Sequence, residues 1–207
     1  KLKIDSVFIG RVGNDDFGSK FIAQFKELEV NLDFLQLDND LSTRVVNVDR
    51  DQFGDRFFTG FEPSSNLCFA DEALSKKLIE KELPTLEKFF LETKYLVTGT
   101  VLLSSPAFEE TISFLLEQAN KFRVKIVIDL NWREVFWDYS TFSSKLSKTA
   151  RINLIKKFCN HAHVLKLAKE EAILFFNNEN PLLISQQIPK RPDVIITDGK
   201  NPIKWYI

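Results

Sequence analysis

The sequence predicts an α/β fold in which helices cover a mostly parallel sheet, and three observations carry that expectation. From residue 93 onward, short apolar runs alternate with helical patterns across short polar joints, which is the signature of βαβ units. The runs are nearly continuous rather than alternating, as expected of strands covered on both faces. Residues 30–61, by contrast, switch to period-2 alternation, which reads as a small antiparallel β layer projecting from the α/β body.

Each element has its own signal. Ser6–Ile9 reads as a strand and Phe17–Leu28 as a helix, joined by the glycine-rich GRVGNDDFG. Asn31–Leu37, Thr43–Asp49 and Arg56–Phe61 read as extended pieces, the last two joined by a turn over Asp51–Asp55. Asp71–Glu92 returns to helix, interrupted near Pro84. Strands follow at Tyr95–Leu102, Lys125–Leu130, His163–Leu167 and Asp193–Thr197. Between them, Ser105-Pro106 opens a helix, as a cap candidate followed by a proline at the first position. Phe108, Ile112, Leu115, Leu116 and Ala119 continue it at helical spacing. A second helix spans Ser144–Cys159, and a third spans Lys169–Phe176 with Glu170 and Glu171 in its first turn, where the helix dipole favours negative charge. The expected organisation is a body of residues 1–29 and 62–207 with the β layer 30–61 inserted.

Composition excludes several classes of partner. The 28 basic and 29 acidic residues are interleaved and the net charge is −1, so no footprint for a nucleic acid or an anionic membrane is present. No apolar run approaches the roughly 20 residues needed to span a bilayer, and KLKIDSVFIG lacks a signal peptide's cleavage site, so a cytoplasmic location is expected. The 20 Phe are read mostly as core packing. Cys68 and Cys159 show no paired spacing and are expected as free thiols. Cys159-Asn-His161-Ala-His163 reads either as a weak metal site lacking a fourth ligand or as an ordinary helix-to-strand junction. The chain contains no Met, its first residue included, so Lys1 is not expected to be a native N-terminus.

In open parallel sheets, ligands bind beyond the carboxyl ends of the strands. Those ends read Thr98-Gly99-Thr100, Asp129-Leu130-Asn131, Lys166 to Glu171, and Thr197-Asp198-Gly199. Carboxylates, an amide, a cation and glycines that allow close backbone approach suit a phosphate and metal site, although Asp and Gly also simply end strands. The segment Gly10 to Gly18 could seat a phosphate at a helix N-terminus. It has neither G-x-G-x-x-G spacing nor a G-K-[ST] ending, so a structural turn is the better reading from physics.

Five motifs then converge. FIGRVGNDDFGSKFIAQFKELEV, STRVVNVDRDQFGDRFF with Thr43, IDLNWREVFW, KLAKEEAILF and VIITDGK occur in the order seen in the PfkB carbohydrate kinase family. The first resembles that family's G-x-V-G-x-D-x-F-G segment, and Asp129 through Trp137 is similar to the D-P-N-x-R-x-x-x-W stretch of fructokinases. The resemblance implies a ribokinase-like, Rossmann-like three-layer α/β/α fold, incomplete here, with 30–61 as a β lid over the sugar. It further implies ATP with Mg2+ as cofactors, a small-molecule sugar substrate, and a homodimer paired through the lid.

By the same resemblance Asn131 and Arg133 contact the transferred phosphoryl group, with a surface ion pair as the alternative for Arg133. Asp129 and Glu171 serve the metal, with helix-dipole complementation as the alternative for Glu171. Lys166, Thr197 and Gly199 serve the nucleotide, and Gly99 and Thr43 the substrate. Three positions depart from the family pattern: Asp198 replaces the usual apolar residue, Ala168 a polar residue near Lys166, and Pro202 the glycine common after T-x-G. The family's N-terminal sugar-binding strand is expected before Lys1, and its G-A-G-D segment with the general-base Asp after Ile207. The 207-residue stretch by itself is therefore expected to be inactive. A kinase for another sugar, a sugar acid or a nucleoside, and a catalytically silent binding protein, stand as alternatives.

Overall fold

A computed structural model of the chain describes residues 4–52, 56–62, 68–139 and 143–207. β1 (Val7–Gly13), α1 (Asp16–Glu27) and β2 (Asn31–Asp38) form a βαβ unit with parallel strands. β3 (Val45–Arg50) and β4 (Arg56–Glu62) form an antiparallel pair. The chain continues through α2 (Lys76–Lys81), α3 (Leu83–Glu92), β5 (Tyr95–Gly99), α4 (Pro106–Lys121), β6 (Lys125–Asp129) and α5 (Glu134–Tyr139). It closes with α6 (Lys148–Cys159), β7 (Val164–Ala168), α7 (Lys169–Phe176), α8 (Pro181–Gln187), β8 (Asp193–Asp198) and β9 (Asn201–Tyr206). The main sheet has the order β5-β6-β7-β8-β9, parallel from β5 to β8, with β9 antiparallel at the edge.

Because each crossover from β5 to β8 steps in the same direction, right-handed connections place the intervening helices on one face. That face holds the core. Ile126, Ile128, Leu165, Leu167, Val194 and Ile196 pack with Ile112, Leu115 and Leu116 of α4, Ile155 and Phe158 of α6, Phe175 of α7 and Ile184 of α8. The opposite face carries the alternate residues, among them Val127, Val164 and Ile195, which are partly exposed. At its two edges, Val97 is 68% and Trp205 65% exposed.

Several boundaries differ from the sequence expectations, each for a physical reason. Asn31–Asp38 pairs parallel with β1 rather than joining an antiparallel layer, since alternation reports half-burial and carries no information on strand direction. β1 runs on to Gly13 where a loop was expected, and the Phe8 ring covers the space over Gly10. β5 stops at Gly99, because the Thr100 hydroxyl donates to the Leu130 carbonyl and the chain turns into a 3-10 segment, Val101–Ser104. The helix expected over 71–92 divides into a 3-10 turn at Ala70–Ala73, then α2, then α3 with Pro84 in its first turn. Ser105 precedes α4, yet its hydroxyl donates to the Glu72 carbonyl at 2.6 Å instead of capping. In α6 it is Ser147 that caps, accepting from the Ala150 amide. β9 was not anticipated; an edge strand tolerates Pro202, which has no N–H to contribute. The turn expected at Asp51–Asp55 falls at Phe53, Gly54 and Asp55 outside the described residues, as do Lys1–Lys3.

The Cys159–His163 stretch is a helix-to-strand junction. Cys159 is fully buried, and burial pushes its thiol up to about 12. His163 Nδ1 accepts the Ile126 amide at 3.0 Å, so this nitrogen is already engaged. Among the described residues no three His, Cys, Asp or Glu assemble as a metal cluster.

Candidate functional site

Sheet register brings four of the expected residues together. Gly99 lies opposite Asp129, and Asp129 opposite Lys166, at the carboxyl ends of β5, β6 and β7. Lys166 Nζ donates to Asp129 Oδ1 and Oδ2 at 3.0 and 3.2 Å. Both side chains remain substantially exposed. An exposed pair of this kind contributes at most about 1 kcal/mol, so an incoming anion can take Lys166 from Asp129 at small cost. On the next strand Thr197 lies opposite Ala168.

Past β6 the chain turns sharply. Asn131 adopts a left-handed conformation with φ +45, which asparagine tolerates better than most residues. The next amide, Trp132 N, then donates to Glu171 Oε1 at 2.6 Å, while Ala168 N donates to Glu171 Oε2 at 2.7 Å. The second bond returns from the third position of α7 to its N-cap, so the dipole-complementing role of Glu171 is realised. Burial pushes the Glu171 carboxyl up, against the opposing pull of those two amides and of Lys166 and Arg133. Glu171 thus ties the loop after β6 to the start of α7.

Arg133 Nη1 donates to the Trp132 carbonyl at 2.8 Å, and its guanidinium lies 5.2 Å from the Phe58 ring of β4. A cation over an aromatic face is held without its charge being neutralised. The Trp132 ring packs against Trp137 and Phe175.

At β8, Gly199 turns with φ +52 and an added Cβ would meet nothing within 4 Å, so the position is conformationally special but open. Asp198 accepts from Lys169 of α7 at 3.2 Å. That hydrogen bond holds the Asp198 carboxyl below its usual range, and it raises Lys169. The acidic residue at this position therefore anchors the β8–β9 turn to the first turn of α7.

Thr43 is engaged in a different hydrogen-bonded group, around Asp15. Its Oγ1 accepts the Gly13 amide at 2.9 Å, and its own amide donates to Asp15 Oδ2 at 2.7 Å. Asp15 Oδ1 accepts Gly18 N at 2.8 Å and so caps α1. Burial alone would raise the Asp15 carboxyl, but the amides of Gly18 and Thr43 outweigh it and hold it low. A Cβ on Gly13 would lie 2.6 Å from Thr43 N, and one on Gly18 would overlap the Gly13 carbonyl oxygen. The α1 N-terminus is filled by its own aspartate, so the glycine segment is a structural knot.

Arg44, adjacent to Thr43, had no signal in the sequence. Its side chain is 5% exposed; Nε and Nη2 bond Asp71 at 3.0 and 3.1 Å, and Nη2 also pairs with Glu72. Phe61, Phe69 and Phe136 surround the guanidinium at 4.7, 4.5 and 4.8 Å. These partners come from positions far along the chain, and no local spacing marks them.

The magnesium implied by the family resemblance would find one half-exposed carboxylate, Asp129, and one buried carboxylate, Glu171, whose two oxygens already accept amides. With no three-ligand cluster among the described residues, this set suits an ion that keeps its waters and shares ligands with substrate phosphates. The residues fit the ion on those terms. A nucleotide would find a displaceable cation in Lys166 and an uncluttered backbone turn at Gly199.

The family model described as "pfkB family carbohydrate kinase" matches residues 1–207. A curated relative, probable fructokinase-5 of Arabidopsis thaliana, is 25% identical over 210 residues, spanning 100% of this chain and 59% of the relative. A crystal structure of fructokinase from Xylella fastidiosa superposes with TM-score 0.80 at 21% identity, covering 99% of this chain and 59% of that one. A second structure, of the Xylella fastidiosa fructokinase with bound ATP, gives TM-score 0.76 at 20% identity, with 97% and 59% covered. These likenesses establish the ribokinase-like α/β fold, and the chain spans about 59% of the length of each of these three proteins.

Proposed function

The chain belongs to the pfkB family of carbohydrate kinases, and on that premise we propose that the protein containing it catalyses ATP-dependent phosphotransfer to a hydroxyl of a small sugar, of the fructokinase kind. The observation that carries the reading is the Asp129–Lys166 pair on adjacent strand ends, with Gly99 beside it and Arg133 just beyond. Support for the substrate class comes from relatives named fructokinase and from the stretch Asp129 to Trp137.

Phosphoryl transfer asks a protein mainly for positioning and for stabilisation of charge on the transferred group. Lys166 leaves Asp129 for a phosphate oxygen. On this reading the turn at Asn131 presents its amide and Arg133, held over Phe58, serves the strand ends, where a guanidinium can engage two phosphoryl oxygens at once. Thr197 and Gly199 offer a hydroxyl and bare backbone to the nucleotide. Magnesium, when bound, neutralises phosphate charge; Asp129 and Glu171 would hold it through water. Glu171 keeps the Asn131 turn and the start of α7 in register throughout. The β3–β4 hairpin, Val45 to Glu62, acts as the lid over the sugar, with Thr43 setting its base, and it offers a surface for pairing two copies.

The test is ATP consumption by purified protein expressed from its whole reading frame, with Mg2+ and a panel of ketohexoses, aldoses, sugar acids and nucleosides. Turnover of fructose above the others is expected. Arg133→Ala should lower kcat on the order of 10^3-fold, the lower end for an arginine that stabilises a transferring phosphoryl group. No sugar turned over by wild type would refute the proposal.

A further inference from the structure

The Arg44 cluster sits where the β3–β4 hairpin leaves the body. Arg44 immediately precedes β3, and Phe61, one residue from the end of β4, stacks on its guanidinium. Asp71 and Glu72 bind the same guanidinium from the 3-10 turn at Ala70–Ala73, and Phe136 reaches it from α5. Phe61 also contacts Phe136 and Phe69 directly, at 4.7 and 5.9 Å between ring centroids. One side chain therefore grips both ends of the hairpin, the turn that follows it, and the helix that follows the Asn131–Arg133 loop. Farther along the hairpin, Phe58 lies over Arg133.

We propose that Arg44 is the hinge clamp of the β3–β4 hairpin and, through it, a positioning residue for Arg133. The inference rests on the kinase reading for its catalytic part and on geometry alone for the clamp. A guanidinium suits the task because it can stack flat against rings while its fork bonds two carboxylates. A lysine keeps the charge between Asp71 and Glu72 but can neither stack flat nor bond both carboxylates in the plane of a fork. With the clamp loosened, the hairpin pivots, Phe58 leaves Arg133, and the guanidinium is no longer held where the phosphoryl group needs it. A misplacement of about 1 Å costs on the order of a hundredfold in rate.

The experiment compares wild type, Arg44→Lys, Phe58→Ala and the double variant of the whole protein by amide hydrogen exchange and by steady-state kinetics. Arg44→Lys keeps the buried charge balanced, and Phe58 is 37% exposed, so its truncation removes little buried packing. Exchange in residues 45–50 and 58–62 should quicken in Arg44→Lys while β6, β7 and β8 stay protected. In kinetics, kcat should fall in both single variants, about a hundredfold in Arg44→Lys. KM for ATP should hold, and the double variant should be no slower than Arg44→Lys. Unchanged exchange in the hairpin, or quickening that spreads through β6–β8, overturns the clamp. Hairpin quickening with unchanged kcat, or losses that multiply in the double variant, overturns the positioning role. A wild type that phosphorylates no sugar removes the kinase reading and the positioning role with it, while the exchange pattern still decides the clamp.

Discussion

Replacing Glu171 by Gln asks how much the buried carboxylate contributes by holding two amides at once. In the native protein, Oε1 accepts Trp132 N at 2.6 Å and Oε2 accepts Ala168 N at 2.7 Å. A carboxamide has one oxygen and one NH2 group, so one of the two amides must face a donor. The lost bond was to a charged acceptor, worth about 1.5–3 kcal/mol, and the remaining one falls to the neutral range of about 0.5–1.5 kcal/mol. Against this, removing the charge relieves the desolvation that pushes the Glu171 carboxyl up. The net expected loss is about 2 kcal/mol, which for a chain of this size lowers Tm by roughly 4–8 °C. Glu171→Ala leaves both amides unpaired at about 1–3 kcal/mol each and should be worse. Urea denaturation followed by tryptophan emission is the assay, since Trp132 carries one of the two amides and its ring packs on Phe175. Wild-type stability in Glu171→Gln, or equal losses for Gln and Ala, would refute the two-amide account.

Two further outcomes follow from geometry and titration. Gly18→Ala should destabilise by about 1–3 kcal/mol despite alanine's better helix propensity, because its Cβ would overlap the backbone oxygen of Gly13 and nothing flexible can yield; chemical denaturation checks it. His163 has a lowered pKa, from burial first and then from Lys190 and Lys125, and its Nδ1 must stay unprotonated to accept the Ile126 amide. A depressed histidine contributes stability that is complete above its unfolded value near 6.5 and is lost as pH falls through that value toward the folded one. His163→Asn, which keeps an acceptor oxygen and cannot titrate, should flatten the decline in Tm between pH 7 and pH 5.

The parts of the fold legible in the sequence were those whose signals are local. α7 spans Lys169–Phe176, as its first-turn acids and apolar positions imply, and β6, β7 and β8 lie within a residue or so of where their apolar runs place them. Partner and direction were not legible. Alternation over Asn31–Asp38 says that one face is buried, and only the structure reveals a parallel neighbour in β1. Glycines at 10 and 13 looked like loop residues, yet a phenylalanine two positions earlier fills the space over Gly10. At the site, strand-end reasoning gathered Gly99, Asp129 and Lys166, because register makes such ends neighbours automatically. It missed Arg44, whose carboxylate partners lie 27 and 28 residues away and whose third ring lies farther still.

The sheet's two faces divide packing from exposed polar groups. Ile128 and Leu165, opposite one another, point into the packed helices, while Asp129 and Lys166, one position on, point to the other side. A substitution at either charged position alters the polar face of the strand ends and leaves Ile128 and Leu165 packed as they were. On the proposed kinase reading, a lineage built on this plan can drift toward a new substrate by small edits at strand tips while its folding stays as it was.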